Sequence, residues 1–364
     1  MDVAWLRPNL GSASKATIQV LDQTKLPGAE TWITLSTCEQ VADAIRGNVV
    51  MGSSAIGILA AFGLALGARG IEEHAFEEEW NHLCANMVAT RPTAPDLFRC
   101  IEQMKRTVTS HRGTHGALID LLHEKAAELL SARTTLDQLM GEMGEGLIEG
   151  GMRVLLHGNS GALGTGGYGT ALGLVKTAVS RGKTVKVIIA EARPDMQGGR
   201  VCAWEAARCG LSTSVCVDAA VGHVVTQDLI DVVVVEAQKV AANGDVAANI
   251  GVFTIAAVCQ HHNIPFYVVA PMSVVDVSVP SAKFFIDEKK PPTLLKEVSS
   301  GRGTTAVKVV PDNVAYINPA CDRTPAEMVT AFITEEGVIT PDDSGSFVDT
   351  LREKLTAYRA ARTN

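Results

Sequence analysis

Apolar and polar positions follow two different rhythms along this chain, and the change falls near residue 150. Before it, apolar residues recur with helical period. Val41 to Arg46, Ala55 to Ala68 and Phe76 to Val88 read as helices, followed by Asp96 to Val108 behind a first-turn Pro95, and by Leu118 to Leu130. Thr134 to Met143 reads as a linking helix that ends in the glycine-rich run GEGLIEGG. From Met152 onward, short β-branched runs alternate with helical stretches. The runs are Arg153 to Leu156, Val185 to Ala190, Ser214 to Val217, Val232 to Val235 and Phe266 to Val269. Helical patterns over Gly169 to Arg181, Gly198 to Cys209 and Val252 to His261 fill the gaps. Strands separated by helices imply βαβ units and a parallel sheet covered on both faces. The expectation is a mainly helical N-terminal domain over residues 1–148 and an α/β domain over 149–364.

Composition narrows the function classes. A chain of 364 residues suits two domains at about 150 residues each. Its 46% hydrophobic content supplies a large core, which excludes a disordered chain. A net charge of -8 speaks against a nucleic-acid partner that needs a basic surface. The longest apolar stretch, Ala55 to Gly67, is too short to cross a bilayer, so no membrane partner is expected. The eight cysteines form no C-x-x-C pair, and no His/Cys cluster has zinc spacing. Met1-Asp2-Val3-Ala4-Trp5 lacks the basic and apolar regions of a signal peptide, so cytoplasmic location with reduced thiols is expected.

Ligands of parallel α/β sheets sit outside the carboxyl ends of the strands, so the residues there carry the candidate chemistry. After the first strand come His157, Gly158, Asn159 and Ser160, then a glycine-dense run from Gly161 to Gly169 that includes Gly166 and Gly167. Glycines opening a helix let backbone N–H groups approach an anion; they equally serve tight turns and close packing. After the second strand, Gln197 stands just before a helix as a ligand contact, and Arg193 suits a structural role better. After the fourth come Glu236, Ala237 and Gln238, then Asn243-Gly244, a turn signal. A histidine such as His157 is more often packed than catalytic.

Taken in order, these segments resemble the S-methyl-5-thioribose-1-phosphate isomerase family, whose relatives include the regulatory subunits of translation initiation factor 2B and archaeal ribose-1,5-bisphosphate isomerase. The matching blocks run almost end to end: Leu21 to Pro27, Gly52 to Gly57, Arg91 to Ala94, Asn159 to Leu172, Glu191 to Trp204, Ala241 to Ile250, Ile264 to Pro271, Asn318 to Ala320 and Thr324 to Glu327. The resemblance implies a helical N-terminal domain, a Rossmann-like C-terminal domain, a homodimer, a small-molecule ligand and no metal or other cofactor. It also implies an aldose-to-ketose isomerisation that uses a cysteine and an aspartate as acid/base groups.

The chain departs from the family at those groups. The cysteine of the family's H-C-N-x-G falls on Gly158, and the aspartate of G-A-D-R-I falls on Gln238. The arginine of R-G-A-P-A-I-G falls on Met51, and the lysine before Ile250-Gly251 falls on Asn249, which removes two cations that would attract a phosphate. Arg91, Asn159, Gly166, Gly167 and Gln197 are kept, and Ser160, Glu236 and Gln238 are new polar groups. The expected reading is an enzyme with a rebuilt pocket for a small sugar-like or less anionic substrate, with Glu236 and Gln238 as candidate catalytic residues. Met51, Arg91, His157, Gly158, Asn159, Ser160, Gly166, Gly167, Gln197 and Asn249 are the candidate substrate-binding residues. Two alternatives stay open: an inactive homologue acting as a ligand-binding or regulatory subunit, and a genuine sugar-phosphate isomerase using substitute residues.

Overall fold

The computed structural model describes residues 3–9, 16–92, 94–285, 295–300, 303–308, 311, 313–315 and 317–361. Met1, Asp2 and Thr93, which belong to segments read above, lie outside the described residues. The chain begins with an antiparallel sheet of β1 (Leu6–Asn9), β2 (Thr17–Leu21) and β3 (Trp32–Leu35) that the hydrophobic pattern did not announce. Helix α1 (Cys38–Arg46) follows, opened by Thr37, whose side chain accepts a hydrogen bond from the Gln40 amide. In α2 (Ser53–Ala68) every residue except Ser53 and Gly67 is buried, as a helix apolar on all sides requires. The other helices, α3 (Phe76–Val88), α4 (Pro95–Ser110) and the first half of α5 (His115–Gly144), pack around it.

Helix α5 runs unbroken where two helices were expected. Ser131-Ala132-Arg133 holds no breaker, and the Thr134 hydroxyl bonds back to the Leu130 carbonyl at 3.0 Å, so nothing stops the helix. Leu118, Leu122 and Ala126 join the helical core, whereas Met140 joins the core on one face of the large sheet. One rigid element therefore spans both halves of the molecule.

The second half is an α/β unit. In chain order it holds β4 (Arg153–His157), α6 (Ala162–Thr165), α7 (Ala171–Ser180), β5 (Lys186–Ala190), α8 (Ala203–Arg208), β6 (Ser212–Cys216), α9 (Val221–Thr226) and β7 (Val232–Glu236). Next come β8 (Lys239–Ala241), β9 (Val246–Asn249), α10 (Val252–His262), β10 (Phe266–Val269), β11 (Val275–Asp276), β12 (Leu295–Ser300) and β13 (Gly303–Lys308). The chain ends with β14 (Cys321–Thr324), β15 (Ala331–Thr334), β16 (Gly337–Ile339) and α11 (Val348–Ala360). Seven strands form a sheet ordered β16-β15-β10-β7-β4-β5-β6, parallel except for β16. Side chains alternate between its faces: Val154 and Leu156 with Val232 and Val234 enter one core, Leu155 with Val233 and Val235 the other.

The chain winds outward from β4 through β5 and β6 on one side, and from β7 through β10 and β15 on the other. The crevice between the carboxyl ends of β4 and β7 is thus the topological switch point. Above it stands a small sheet ordered β11-β8-β9-β14, in which Asn243-Gly244 makes the predicted turn between β8 and β9, with Gly244 at φ +87°. Among the described residues no helix is long and apolar enough to cross a membrane.

Candidate active site at the switch point

The register Leu156 opposite Val234, carried two residues on, sends Gly158 and Glu236 out of the sheet side by side. Gly158 takes φ +78°, a conformation that favours glycine, and a Cβ there would come within 2.7 Å of Asn249 Nδ2. Asn249 Oδ1 in turn accepts from Gln238 Nε2 at 2.9 Å. Gln238 Oε1 accepts from the Cys321 thiol at 3.1 Å, and Cys321 lies directly across from Asn249 in the β9–β14 ladder. Two neutral amides and a thiol thus gather around the positions where the family places its cysteine, aspartate and lysine. Gly158, Arg193, Asp195, Gln197, Asn249 and Ile250 help line a narrow, solvent-open hollow beside them. Its outer loop is held by Asp218, which accepts from the Ala192 amide at 2.9 Å and the Arg193 amide at 2.7 Å.

Glu236 faces the other side of the crevice. The Thr170 hydroxyl donates to its Oε2 at 3.2 Å. Burial pushes its carboxyl up to about 7; the Thr170 hydrogen bond and the Arg133 guanidinium pull the other way, and Asp137 adds a smaller push upward. A carboxyl poised near neutrality can both give and take a proton. Beneath the crevice, His157 is 2% exposed, and its Nε2 meets the Ile250 carbonyl at 2.8 Å while Nδ1 has no partner. Burial holds this imidazole below its ordinary range, so it is neutral at pH 7. Asn159 is 3% exposed, and neither its Oδ1 nor its Nδ2 finds a protein partner. Ser160 is fully buried, with its hydroxyl turned toward the Cys202 thiol.

The glycine-dense run behaves differently from the strand ends. Its backbone donors are taken by the protein itself. Ala162 and Leu163 amides donate to the fully buried Glu205 carboxylate at 2.8 and 3.1 Å, and Lys176 Nζ stands 3.9 Å from that carboxylate. Tyr168 and Gly169 amides donate to Asp137 Oδ2, both at 2.9 Å. The structure places Gly166 and Gly167 against helices rather than in the hollow: a Cβ on Gly166 would meet Ile58 and Ala55 of α2, and one on Gly167 would meet Asp137 and Arg133 of α5. Met51 and Arg91 form a third group at the entry to α2. The Met51 amide donates to Gln23 Oε1 at 3.2 Å, and the Arg91 guanidinium binds Asn48 and the Ile45 carbonyl.

Several residues of this architecture were not singled out from the sequence: Gln23, Arg133, Asp137, Thr170, Glu205 and Cys321. Gln23 is fully buried and donates to the Leu163 carbonyl at 2.9 Å, so the LDQ segment clamps α2 to the glycine run. Cys321 carried a readable signal, since it directly follows the Asn318-Pro319-Ala320 block. Among the described residues no group of three or more His, Cys, Asp or Glu side chains could hold a metal ion.

A helical half packed on a doubly wound, mainly parallel sheet defines the class as a Rossmann-like α/β protein with a helical N-terminal part. Residues 49–341 match the family model described as the initiation factor 2 subunit family, and the chain belongs to that family. It is 38% identical over 329 residues to methylthioribose-1-phosphate isomerase of Syntrophotalea carbinolica, covering 89% of this chain and 94% of that one. The corresponding protein of Koribacter versatilis is 41% identical over 329 residues, with 88% and 90% covered. Among solved structures, 5-methylthioribose 1-phosphate isomerase from Pyrococcus horikoshii superposes with a TM-score of 0.85 at 29% identity, covering 97% of this chain and 96% of that one. The translation initiation factor eIF-2B subunit delta from A. fulgidus gives 0.80 at 35% identity, with 92% and 97% covered.

Proposed function

We propose that this protein is an enzyme built on the methylthioribose-1-phosphate isomerase scaffold whose active site has been refitted for a small sugar-like substrate less anionic than a sugar phosphate. The observation that carries this reading is Glu236: a carboxyl held up to about 7 at the switch point, beside a Gly158 that has no side chain to react. In this reading Glu236 moves the proton, and the Thr170 hydroxyl orients its carboxyl. Gln238 and Asn249 offer neutral donors and acceptors to hydroxyl or carbonyl groups of the ligand, and Gln197 contacts it from the outer loop. Asn159 supplies an amide that the protein leaves without a partner. Met51 and Asn249 lower the positive charge that a phosphate would need. His157, Ser160, Gly166 and Gly167 support this site from beneath and behind, and Arg91 braces the entry to α2 through Asn48 and the Ile45 carbonyl.

The same reading takes residues 1–148 and 149–364 as two domains meeting at the crevice, a homodimer as the working form, and the cytoplasm as its location. The test is a thermal-shift panel of neutral sugars, sugar acids and sugar phosphates, followed by turnover assays of whatever binds. Neutral or acidic sugars should raise Tm more than phosphates, and Glu236→Gln should abolish turnover while keeping the shift. Enzyme-like turnover of methylthioribose 1-phosphate by the native chain would overturn it. It would favour instead the reading of a genuine sugar-phosphate isomerase with substitute residues, which rests on the 38% identity to proteins of that name. Ligand binding with no turnover of any bound sugar would favour the inactive, ligand-binding homologue.

A further inference from the structure

A continuous polar chain runs from the helical half of the molecule into the crevice. It starts at Asp96 on α4, which hydrogen-bonds the Ser54 hydroxyl in the first turn of α2. Ser54 Oγ accepts from Arg133 Nη1 at 2.8 Å, and Arg133 Nε donates to Asp137 Oδ1 at 2.7 Å, four residues along α5. Asp137 Oδ2 then gathers the Thr165 hydroxyl at 2.6 Å with the Tyr168 and Gly169 amides at 2.9 Å, so the loop before α7 has one allowed position. The next residue in that loop is Thr170, which donates to Glu236. Arg133 is 8% exposed and Asp137 is fully buried.

A charge on a helix is ordinarily solvated, and burying one costs several kcal/mol unless it is paired and hydrogen-bonded. This pair is placed where four elements meet and where α5 crosses between the halves. A scaffold of apolar residues would hold α5 against α2 as well, so the pair does something besides packing. We propose that the Arg133–Asp137 pair sets the charge state of Glu236 from the helical half: Asp137 holds the loop that carries Thr170, and the opposite charges of the pair act directly on the Glu236 carboxyl. The charge state of Glu236 then depends on how the helical half is seated. The groups facing Glu236 are Arg133 and Asp137 from α5, Thr170 from the loop and, among titratable side chains, the buried Cys202 thiol.

The proposal rests on Glu236 being the acid/base group, yet its test does not need a substrate. Glutamate carboxyls labelled with 13C are titrated by NMR in the full chain, and the Glu236 signal is assigned by its loss in Glu236→Gln. Arg133→Met should raise the midpoint of Glu236 by about one pH unit, because a guanidinium that favours the charged carboxylate is gone. Asp137→Asn keeps a carbonyl for the two loop amides, removes a negative charge and should lower the midpoint. Opposite movements support the proposal. A merely structural role would loosen the loop in both variants and displace both midpoints the same way, which overturns it, as would two unmoved midpoints. If Arg133→Met does not fold, Asp137→Asn alone decides: a lowered midpoint supports, an unmoved or raised one overturns. Persistent turnover in Glu236→Gln would defeat the functional reading and leave this titration result standing.

Discussion

The two stretches of chain that follow β4 teach different lessons. From Gly161 to Gly169 the backbone looks like a ready anion cradle, yet its donors are occupied: Glu205 takes the Ala162 and Leu163 amides, and Asp137 takes those of Tyr168 and Gly169. In the stretch His157 to Asn159, just before it, His157 Nδ1 and both side-chain polar atoms of Asn159 lie buried with no protein partner. Buried polar groups are paired in the great majority of cases, so the strand end leaves atoms that a ligand or an ordered water would satisfy, whereas the loop is satisfied by the protein itself. The glycines of the saturated loop let helices close in; the carboxylates that saturate it come from α8 and α5. The contrast assigns rigidity to one stretch and unmet hydrogen-bonding capacity to the other.

The strongest way to break this contrast is Glu205→Ala. The substitution strips the carboxylate from a fully buried Lys176, whose Nζ keeps the Tyr168 carbonyl at 3.0 Å, and leaves two amides of α6 without acceptors. Stability should fall by about 3–5 kcal/mol, read by urea unfolding at neutral pH. A loss under about 1 kcal/mol would mean that water or another group satisfies the loop, and that its amides are available to a ligand after all.

Glu236→Gln probes the other stretch through pH. In the unfolded chain this carboxyl titrates near its ordinary 4.5, and in the folded protein near 7. Between those values the unfolded chain has released a proton that the native state still holds, so native stability falls as pH rises through this window and levels off above it. The variant lacks this term. Relative to the native chain it should gain about 1–3 kcal/mol between pH 4.5 and pH 7.5, the range allowing for the partial exposure of the residue. Unfolding curves for the two proteins that stay parallel across this window would place the Glu236 carboxyl in solvent and remove its claim to acid/base work.

What could be read in advance follows from how locally each feature is written. Strands β4, β5, β7 and β10 are short apolar runs largely buried on both faces, β-branched throughout in the core of β5 and β7, and α2 is apolar all round, so each declares itself without its neighbours. The N-terminal sheet and the sheet of β11, β8, β9 and β14 are built of strands of two to five residues, too short to declare a period, and β8 and β9 also pair with β11 and β14 from later in the chain. The edge strand β6 starts two residues earlier than its apolar pattern, since Ser212 and Thr213 are strand residues only by pairing with β5. At the site, Gly158, Glu236 and Gln238 were legible because each lies at or just after a strand that its apolar run declares, and Asn249 because the resembling family places a lysine there. Arg133, Asp137 and Glu205 were not, because a charged residue on a helix reads as a solvated face. Only the flanking Leu129, Leu130, Leu136 and Met140 hinted that this stretch of α5 is enclosed.

The smallest expected effect is the most discriminating. Asn159→Leu replaces a buried amide by an apolar group of similar shape. Were Asn159 part of the saturated framework, the change would strand its partners and cost about 1–3 kcal/mol. Its Oδ1 and Nδ2 have no protein partners, so the substitution removes only a desolvated amide, and native stability should change by less than about 1 kcal/mol in either direction. Ligand binding should respond in the opposite manner. Whatever sugar raises Tm in the native chain should lose most of that shift in the variant, because the amide it satisfies has gone. A stable variant with an undiminished ligand shift would show that Asn159 is an unsatisfied residue of the core, and the contrast between the two stretches would then rest on Glu236 alone.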